Sequence, residues 1–257
     1  MCPPTYFDVQ YRINPWMRPE EGADLELAKR QWVDLRKTLE GLGHTVDVID
    51  PVPGLPDMVF AANGGLAIGN QALAPRFRNV ERQGETAPFA AALKAVGYDD
   101  VKIPSCINEG EGDFLFTGRV ILGGSGFRSD PAAGAEVQDV FGLPVVTLVL
   151  VDPRFYHLDT AMTLLAPDMV AFWPGAFSPS SQAVLRHLFP GAIEVDESDA
   201  AVLGLNAISD GRHVVLPAET TGYISQLRER GFIPVPVQLS ELRKAGGGPK
   251  CCVLERR

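Results

Sequence analysis

A repeat of about fifty residues constrains this chain more than any other feature. Four successive stretches read as a hairpin, a helix and a strand, from period-two apolar alternation followed by helical spacing. The first has a hairpin over Met58 to Ile68 and Ala72 to Phe77, turning at Gly69-Asn70, then a helix from Val80 to Val96 and a strand at Val101 to Ile103. The second has a hairpin at Asp113 to Leu122, a helix at Ala132 to Phe141 and a strand at Val145 to Leu150. The third has a hairpin at Tyr156 to Trp173, a helix at Ser180 to Leu188 and a strand at Ile193 to Val195. The fourth runs from Leu203 to Leu216, turning at Asp210-Gly211, with a helix at Thr221 to Arg230 and a strand at Ile233 to Val237.

The chain ends supply the pieces of a fifth unit. Residues 5 to 13 alternate apolar and polar as a half-buried strand does. A helix follows from Asp24 to Leu42 on Leu25, Ala28, Trp32, Leu35 and Leu39, stopped by Gly43, and then a strand at Thr45 to Ile49. A last strand is expected at Cys251 to Leu254. The expectation is therefore an α/β ring of five modules, closed by the N- and C-terminal strands as in propeller-like folds. At 257 residues this fits one domain over 1–257, and 46% hydrophobic against 21% charged residues leaves no disordered tail to explain.

A net charge of -9 and the lack of any Lys/Arg cluster argue against a nucleic-acid partner. No apolar run reaches the roughly 20 residues of a membrane span, and Met1-Cys2-Pro3-Pro4 lacks a signal peptide's regions, so a cytoplasmic protein is expected. There Cys2, Cys106, Cys251 and Cys252 would be reduced thiols. Neither their spacing nor that of His44, His157, His187 and His213 matches a metal pattern, so no metal and no cofactor are expected.

A repeat places equivalent positions around one axis. Asn63, Glu109, His157 with Asp159, Asn206 and Cys251 recur at intervals of 46, 48, 49 and 45 residues, at the start of each hairpin or just before it. Arg82 follows Asn63 by 19 residues, and Arg128 follows Glu109 by 19. Each residue has a bland reading alone: a solvated carboxylate in a glycine-rich loop, a core histidine, turn chemistry at Asn63-Gly64-Gly65, surface arginines, a Cys-Cys pair filling core. Their matched intervals favour a site. A thiolate attacks a planar, electron-poor carbon, a histidine protonates the departing amine and then activates water, and acids hold a cationic substrate. A guanidinium is such a substrate, and two arginines could clamp its carboxylate. A free thiol titrates near ~8.5, so it needs help from His157 or from the bound cation.

The chain resembles the guanidino-group-modifying enzymes, which include arginine deiminase, dimethylarginine dimethylaminohydrolase, amidinotransferases and arginine dihydrolase. The resemblance covers nearly the whole chain. It is carried by Phe7-Asp8-Val9-Gln10-Tyr11-Arg12-Ile13-Asn14-Pro15-Trp16-Met17, Phe60-Ala61-Ala62-Asn63-Gly64-Gly65-Leu66, Glu109-Gly110-Glu111-Gly112-Asp113, Phe127-Arg128-Ser129-Asp130, His157-Leu158-Asp159-Thr160 and Gly247-Gly248-Pro249-Lys250-Cys251. It implies the pentein fold, a fivefold pseudo-symmetric α/β propeller. It also implies Cys251 as nucleophile, His157 as general acid and base, Glu109 as the catalytic acid of the family's Glu-Gly-rich-Asp motif, and Asn14, Asn63, Arg82, Arg128 and Asp159 as substrate-binding residues. Cys252 reads as structural.

Asn63 stands where arginine deiminases and dimethylarginine hydrolases usually carry aspartate, and Asp159 is kept where many of the latter lack it. With Asn14-Pro15-Trp16-Met17, that combination looks most like arginine dihydrolase, which gives ornithine, ammonia and carbon dioxide. An asparagine offers a donor that could hold a ureido oxygen for a second attack. Dimethylarginine hydrolysis or deimination to citrulline, amidino transfer, and a non-catalytic arginine-binding protein are the alternatives, with a zinc hydrolase last. The expected partner is arginine or a methylated arginine; homo-oligomerisation is left open.

Overall fold

The computed structural model describes residues 1–256. It opens with α1 (Leu25–Gly41), begun by the Asp24 carboxylate accepting from the Leu27 N–H and burying Ala28, Trp32, Leu35 and Leu39. Four sheets follow. The first holds β1 (Leu66–Ile68) and β2 (Gln71–Leu73), then α2 (Val80–Gln83) and α3 (Thr86–Ala95), then β3 (Val101–Lys102). The second holds β4 (Phe114–Phe116), β5 (Ile121–Ser125), α4 (Ala133–Phe141) and β6 (Val145–Val149). The third begins with a short helix α5 (Leu158–Ala161), then β7 (Met162–Ala166), β8 (Met169–Phe172), α6 (Pro179–Leu188) and β9 (Ile193–Glu194). The fourth begins with α7 (Glu197–Ala200), then β10 (Ile208–Ser209), β11 (His213–Pro217), α8 (Gly222–Glu229) and β12 (Ile233–Val237); α9 (Ser240–Arg243) follows.

Every sheet has the same build: an antiparallel hairpin whose second strand pairs in parallel with the strand beyond the helix. Leu122, for example, faces Leu115 on one side and Val146 on the other. The helices are capped as their sequences suggest: Ser178 accepts from the Ser181 N–H ahead of Pro179 in α6, and Asp199 accepts from the Thr221 and Tyr223 N–H groups at the start of α8. One core cluster joins Phe155, Phe172, Phe177, Leu216, Tyr223 and Leu227; another packs α1 against Phe7, Phe60, Leu242 and Cys252. Each such side chain, fully buried, contributes roughly 1.5–3 kcal/mol of transfer free energy.

The fifth set of strands is where the structure departs from expectation. Residues 5 to 13 bury Phe7 and Val9 alternately, but they pair with no strand among the described residues and begin in turns closed by Thr5 N–H to Pro3 and Phe7 N–H to Pro4. Residues 45 to 49 are mostly exposed, and among the described residues they form no strand: Ile49 N–H donates to Met1, the Met1 amine donates to the Asp47 carbonyl, and the Asp47 carboxylate pairs with Arg256. Residues 250 to 252 form a 3-10 turn rather than a strand, because the Cys251 N–H is taken by a side chain and Cys252 N–H returns to Pro249. A single parallel bridge, Ala67 to Arg256, marks where the tail meets the first sheet. Beside it lies a cavity of about 400 Å³ lined by Met1, Asp47, Leu93, Ile208, Leu254 and Arg256. The hairpins are also shorter than their alternation suggests. Residues 56–64 coil into 3-10 turns after Pro56, the helix expected over 80–96 breaks at Gly84, and 158–161 is helical.

Among the described residues no helix is long and apolar enough to cross a membrane, and no cluster of three or more His, Cys, Asp or Glu is placed to hold a metal ion.

Candidate active site

The segments entering the first strands carry the recurring polar residues, and the structure links them in sequence order. Asn63 Nδ2 donates to the Glu109 carbonyl at 3.2 Å. His157 Nε2 meets Glu109 Oε2 at 2.8 Å, and Asn206 Nδ2 donates to the Asp159 carbonyl at 3.0 Å. The Cys251 N–H then donates to Asn206 Oδ1 at 3.0 Å. Equivalent short loops in successive units therefore bring these side chains to one place, none more than 2% exposed.

Around the sulfur, Cys251 Sγ lies 3.3 Å from Asp159 Oδ2 and 3.1 Å from Asn206 Nδ2. Burial, and next the Asp159 carboxylate, push the Cys251 thiol well above its ordinary value, so the resting group is a thiol donating to Asp159. Burial likewise raises Asp159, opposed by His157 and Lys250. Lys250, at the base of the same turn, donates to Glu111 Oε2 at 2.8 Å and to the Val253 carbonyl at 3.0 Å, tying the thiol's backbone to the Glu109 loop.

Around the imidazole, burial alone would raise the Glu109 carboxyl, but Arg128 and His157 outweigh it and hold the group well below the usual carboxylate range. An ionised Glu109 can only accept, so His157 Nε2 carries the proton between them and Nδ1 is the ring nitrogen turned away from Glu109. His157 Nδ1 and Asp159 Oδ1 are both buried with no hydrogen-bond partner among the described residues. Asp113, whose place in the Glu-Gly-Glu-Gly-Asp run carries no assigned role in the sequence reading, accepts from the Leu158 N–H at 3.2 Å and the Ser129 N–H at 3.0 Å. It thereby sets both the histidine's turn and the Arg128 loop. Gly112 passes so close that a Cβ there would overlap the Asn63 amide and stand 3.2 Å from the His157 ring.

The arginines are buried and partly engaged. Arg82 donates from Nε and NH2 to Glu85 at 2.9 and 2.8 Å, from NH1 to Asn63 Oδ1 at 2.7 Å, and from NH2 to the Asp57 carbonyl at 3.2 Å. Glu85, one turn further along the chain, goes unnoticed in the sequence because it lies outside the repeat. Arg128 donates to Glu109 at 2.9 Å and to the Ile13 carbonyl at 3.1 Å, lies over the Tyr156 ring, and retains three of its five N–H donors. Asn14 acts as a turn former: its Oδ1 accepts from Trp16 and Met17 N–H, and its Nδ2 donates to the Ala245 carbonyl. Asn63 is bonded at both ends of its amide, to Arg82 and to Glu109.

Charge decides what such a place accepts. The buried carboxyls Asp57, Glu85, Glu109, Glu111, Asp113 and Asp159 outnumber the buried cations Arg82, Arg128 and Lys250. A desolvated surplus of acid is costly unless protonated or met by a cation, so the site favours a cationic ligand.

No family model matches the chain. It is 51% identical over 255 residues to an N(G),N(G)-dimethylarginine dimethylaminohydrolase from Mycobacterium tuberculosis, covering 99% of this chain and 84% of that one. It is 36% identical over 260 residues to the bifunctional arginine dihydrolase/ornithine cyclodeaminase ArgZ of Synechocystis, covering 99% of this chain and 37% of that longer protein. Among solved structures, the N-terminal domain of a Cys-to-Ser ArgZ variant bound to substrate superposes with a TM-score of 0.95 at 35% identity, covering 99% of this chain and 96% of that one.

Proposed function

The chain belongs to the guanidino-group-modifying enzymes of the pentein superfamily and is a hydrolase of amidine C–N bonds; on that premise we propose that it acts on arginine or a methylated arginine through a covalent Cys251 thiouronium. The observation that carries the proposal is the Cys251 thiol donating to a buried Asp159 beside the His157–Glu109 pair, where buried carboxyls outnumber buried cations.

The bound guanidinium satisfies Asp159, and its positive charge offsets the burial that holds the sulfur protonated. The thiol proton passes to the neutral imidazole, and Sγ attacks the guanidinium carbon. The C–N bond breaks as His157 returns that proton to the leaving amine. Water, deprotonated by His157, then displaces the thiolate from the carbon, leaving a ureido product. Glu109 keeps the imidazole in the tautomer this needs, and Arg128 offers its spare donors to the substrate carboxylate, with Arg82, Asn63 and Asn14 lining the same place. One catalytic domain over 1–257 arranged as a fivefold ring is the matching reading of the whole chain; the hydrogen bonds between successive loops and the Ala67–Arg256 bridge support it.

For the product, the pairing of Asn63 with Asp159 favours the dihydrolase outcome, in which the ureido carbon is attacked a second time and ornithine, ammonia and carbon dioxide result. Asn63's bonds to Arg82 and Glu109 leave one Nδ2 hydrogen for a ureido oxygen. The 51% identity to a dimethylarginine hydrolase favours the second reading, a methylamine and citrulline. Incubation with arginine, monomethylarginine and dimethylarginine, with products identified by mass, separates them. Ornithine from arginine supports the first, citrulline from methylated arginines the second, and no product from any of the three refutes the proposal.

A further inference from the structure

Asn206 occupies, ahead of β10, the place that Glu109 and His157 occupy ahead of β4 and β7. It is fully buried, and all four hydrogen-bonding positions of its amide are used. Oδ1 accepts from the Gly248 N–H and the Cys251 N–H, each at 3.0 Å. Nδ2 donates to the Asp159 carbonyl at 3.0 Å and to Cys251 Sγ at 3.1 Å. Its own turn is set by Leu203, the one non-glycine residue with a left-handed φ (59°) among the described residues, whose carbonyl accepts from the Asn206 N–H at 2.9 Å.

We propose that Asn206 aims and stabilises the attacking sulfur, pinning the Cys251 backbone through Oδ1 while presenting an N–H to the thiolate through Nδ2. The inference rests on the hydrolase reading above for the sulfur's role. Asp159 accepts a proton from the sulfur and so favours the thiol, whereas an N–H donor strengthens when the sulfur becomes an anion. Once a cation engages Asp159, the Asn206 Nδ2–H, 3.1 Å from Sγ, is the side-chain donor left on the sulfur, beside the backbone N–H of Gly248. A neutral amide does this without adding charge to a site whose other titratable groups around the sulfur are Asp159, Tyr156 and Cys252, with His157 and Lys250 acting through Asp159. Because the same amide also holds the Asp159 backbone, nucleophile and substrate carboxylate share one reference point.

The test is Asn206→Asp, which is isosteric and keeps an acceptor for both backbone N–H groups while turning a donor into an acceptor beside the sulfur. Asn206→Ala is the second variant, should the first fail to fold. Iodoacetamide labelling of the Cys251 peptide is followed by mass spectrometry against pH, and kcat and KM are measured with arginine and methylated arginines. The labelling midpoint is expected to rise by at least about one pH unit in Asn206→Asp, with a smaller rise in Asn206→Ala. kcat is expected to fall about 100-fold with KM within about threefold, the loss typical of one removed anion-stabilising donor. An unmoved labelling midpoint in folded variants overturns the inference, whatever happens to kcat. If the native protein turns over none of these substrates and the midpoint still moves, the hydrolase reading fails and the role of Asn206 at the sulfur stands.

Discussion

Replacing Asp159 with asparagine should make Cys251 more reactive toward a generic alkylator while disabling turnover. The carboxylate lies 3.3 Å from Sγ, and two unit charges at that distance repel by at most about 5 kcal/mol for an effective dielectric constant of about 20. A third of that exceeds the ~1.4 kcal/mol that corresponds to one pH unit. Removing the charge, and placing an amide that can donate to sulfur in its stead, should therefore lower the Cys251 labelling midpoint by at least about one unit. At neutral pH the labelling rate rises correspondingly, by about tenfold or more. Turnover moves the other way, because the guanidinium loses the carboxylate that faces its reacting end; kcat/KM should fall by about a thousandfold or more. The assay is iodoacetamide labelling of the Cys251 peptide across pH, beside steady-state kinetics on one preparation. A midpoint that stays put or rises would refute the assignment of Asp159 as the charge that, added to burial, keeps the thiol protonated.

Arg128→Ala removes the guanidinium that retains free donors, so KM should rise by about 100-fold or more, and an unchanged KM would count against the carboxylate clamp. Burial pushes Glu85 from 4.5 up to about 7, with Arg82 opposing. The folded protein then binds a proton between those values that the unfolded chain has released. This group's contribution to stability is therefore present below about 4.5 and is lost as pH rises through about 7. Glu85→Gln should flatten that slope in a plot of Tm against pH. Gly112→Ala drives a Cβ into the Asn63 amide and crowds the His157 ring; a loss of about 1–3 kcal/mol in denaturant unfolding, with activity falling further than stability, is the expected outcome.

The four sheets were legible because alternation and helical spacing repeat with the same order and length, and each hairpin has a parallel partner to pair with. The fifth set was not, since alternation at 5 to 13 reports burial of Phe7 and Val9 and says nothing about whether a neighbouring edge exists. Cys251 to Leu254 reads as a strand by composition, yet the Asn206 amide takes the Cys251 N–H that a ladder would need. The same repeat picks out Asn63, Glu109, His157, Asn206 and Cys251, which the structure links by hydrogen bonds from loop to loop. What spacing does not carry is which atom bonds which. Arg82 has Glu85 as its main partner, a local contact, and Asn14 serves its own turn while its amide also reaches the Ala245 carbonyl, and none of these contacts follows the period. Asp113 and Asn206, which do the orienting, stand at or beside repeat positions, but their tasks emerge only from the backbone N–H groups they accept from.

The central claim is that Cys251 attacks the guanidinium carbon of arginine or a methylated arginine. It is tested most directly by acid-quenching the protein during turnover and weighing the Cys251 peptide. The account predicts an adduct on Cys251 equal in mass to the substrate less its departing amine, and neither adduct nor product from Cys251→Ser. Sustained product release with Cys251 unmodified in every quenched sample, or a full rate from Cys251→Ser, would contradict it.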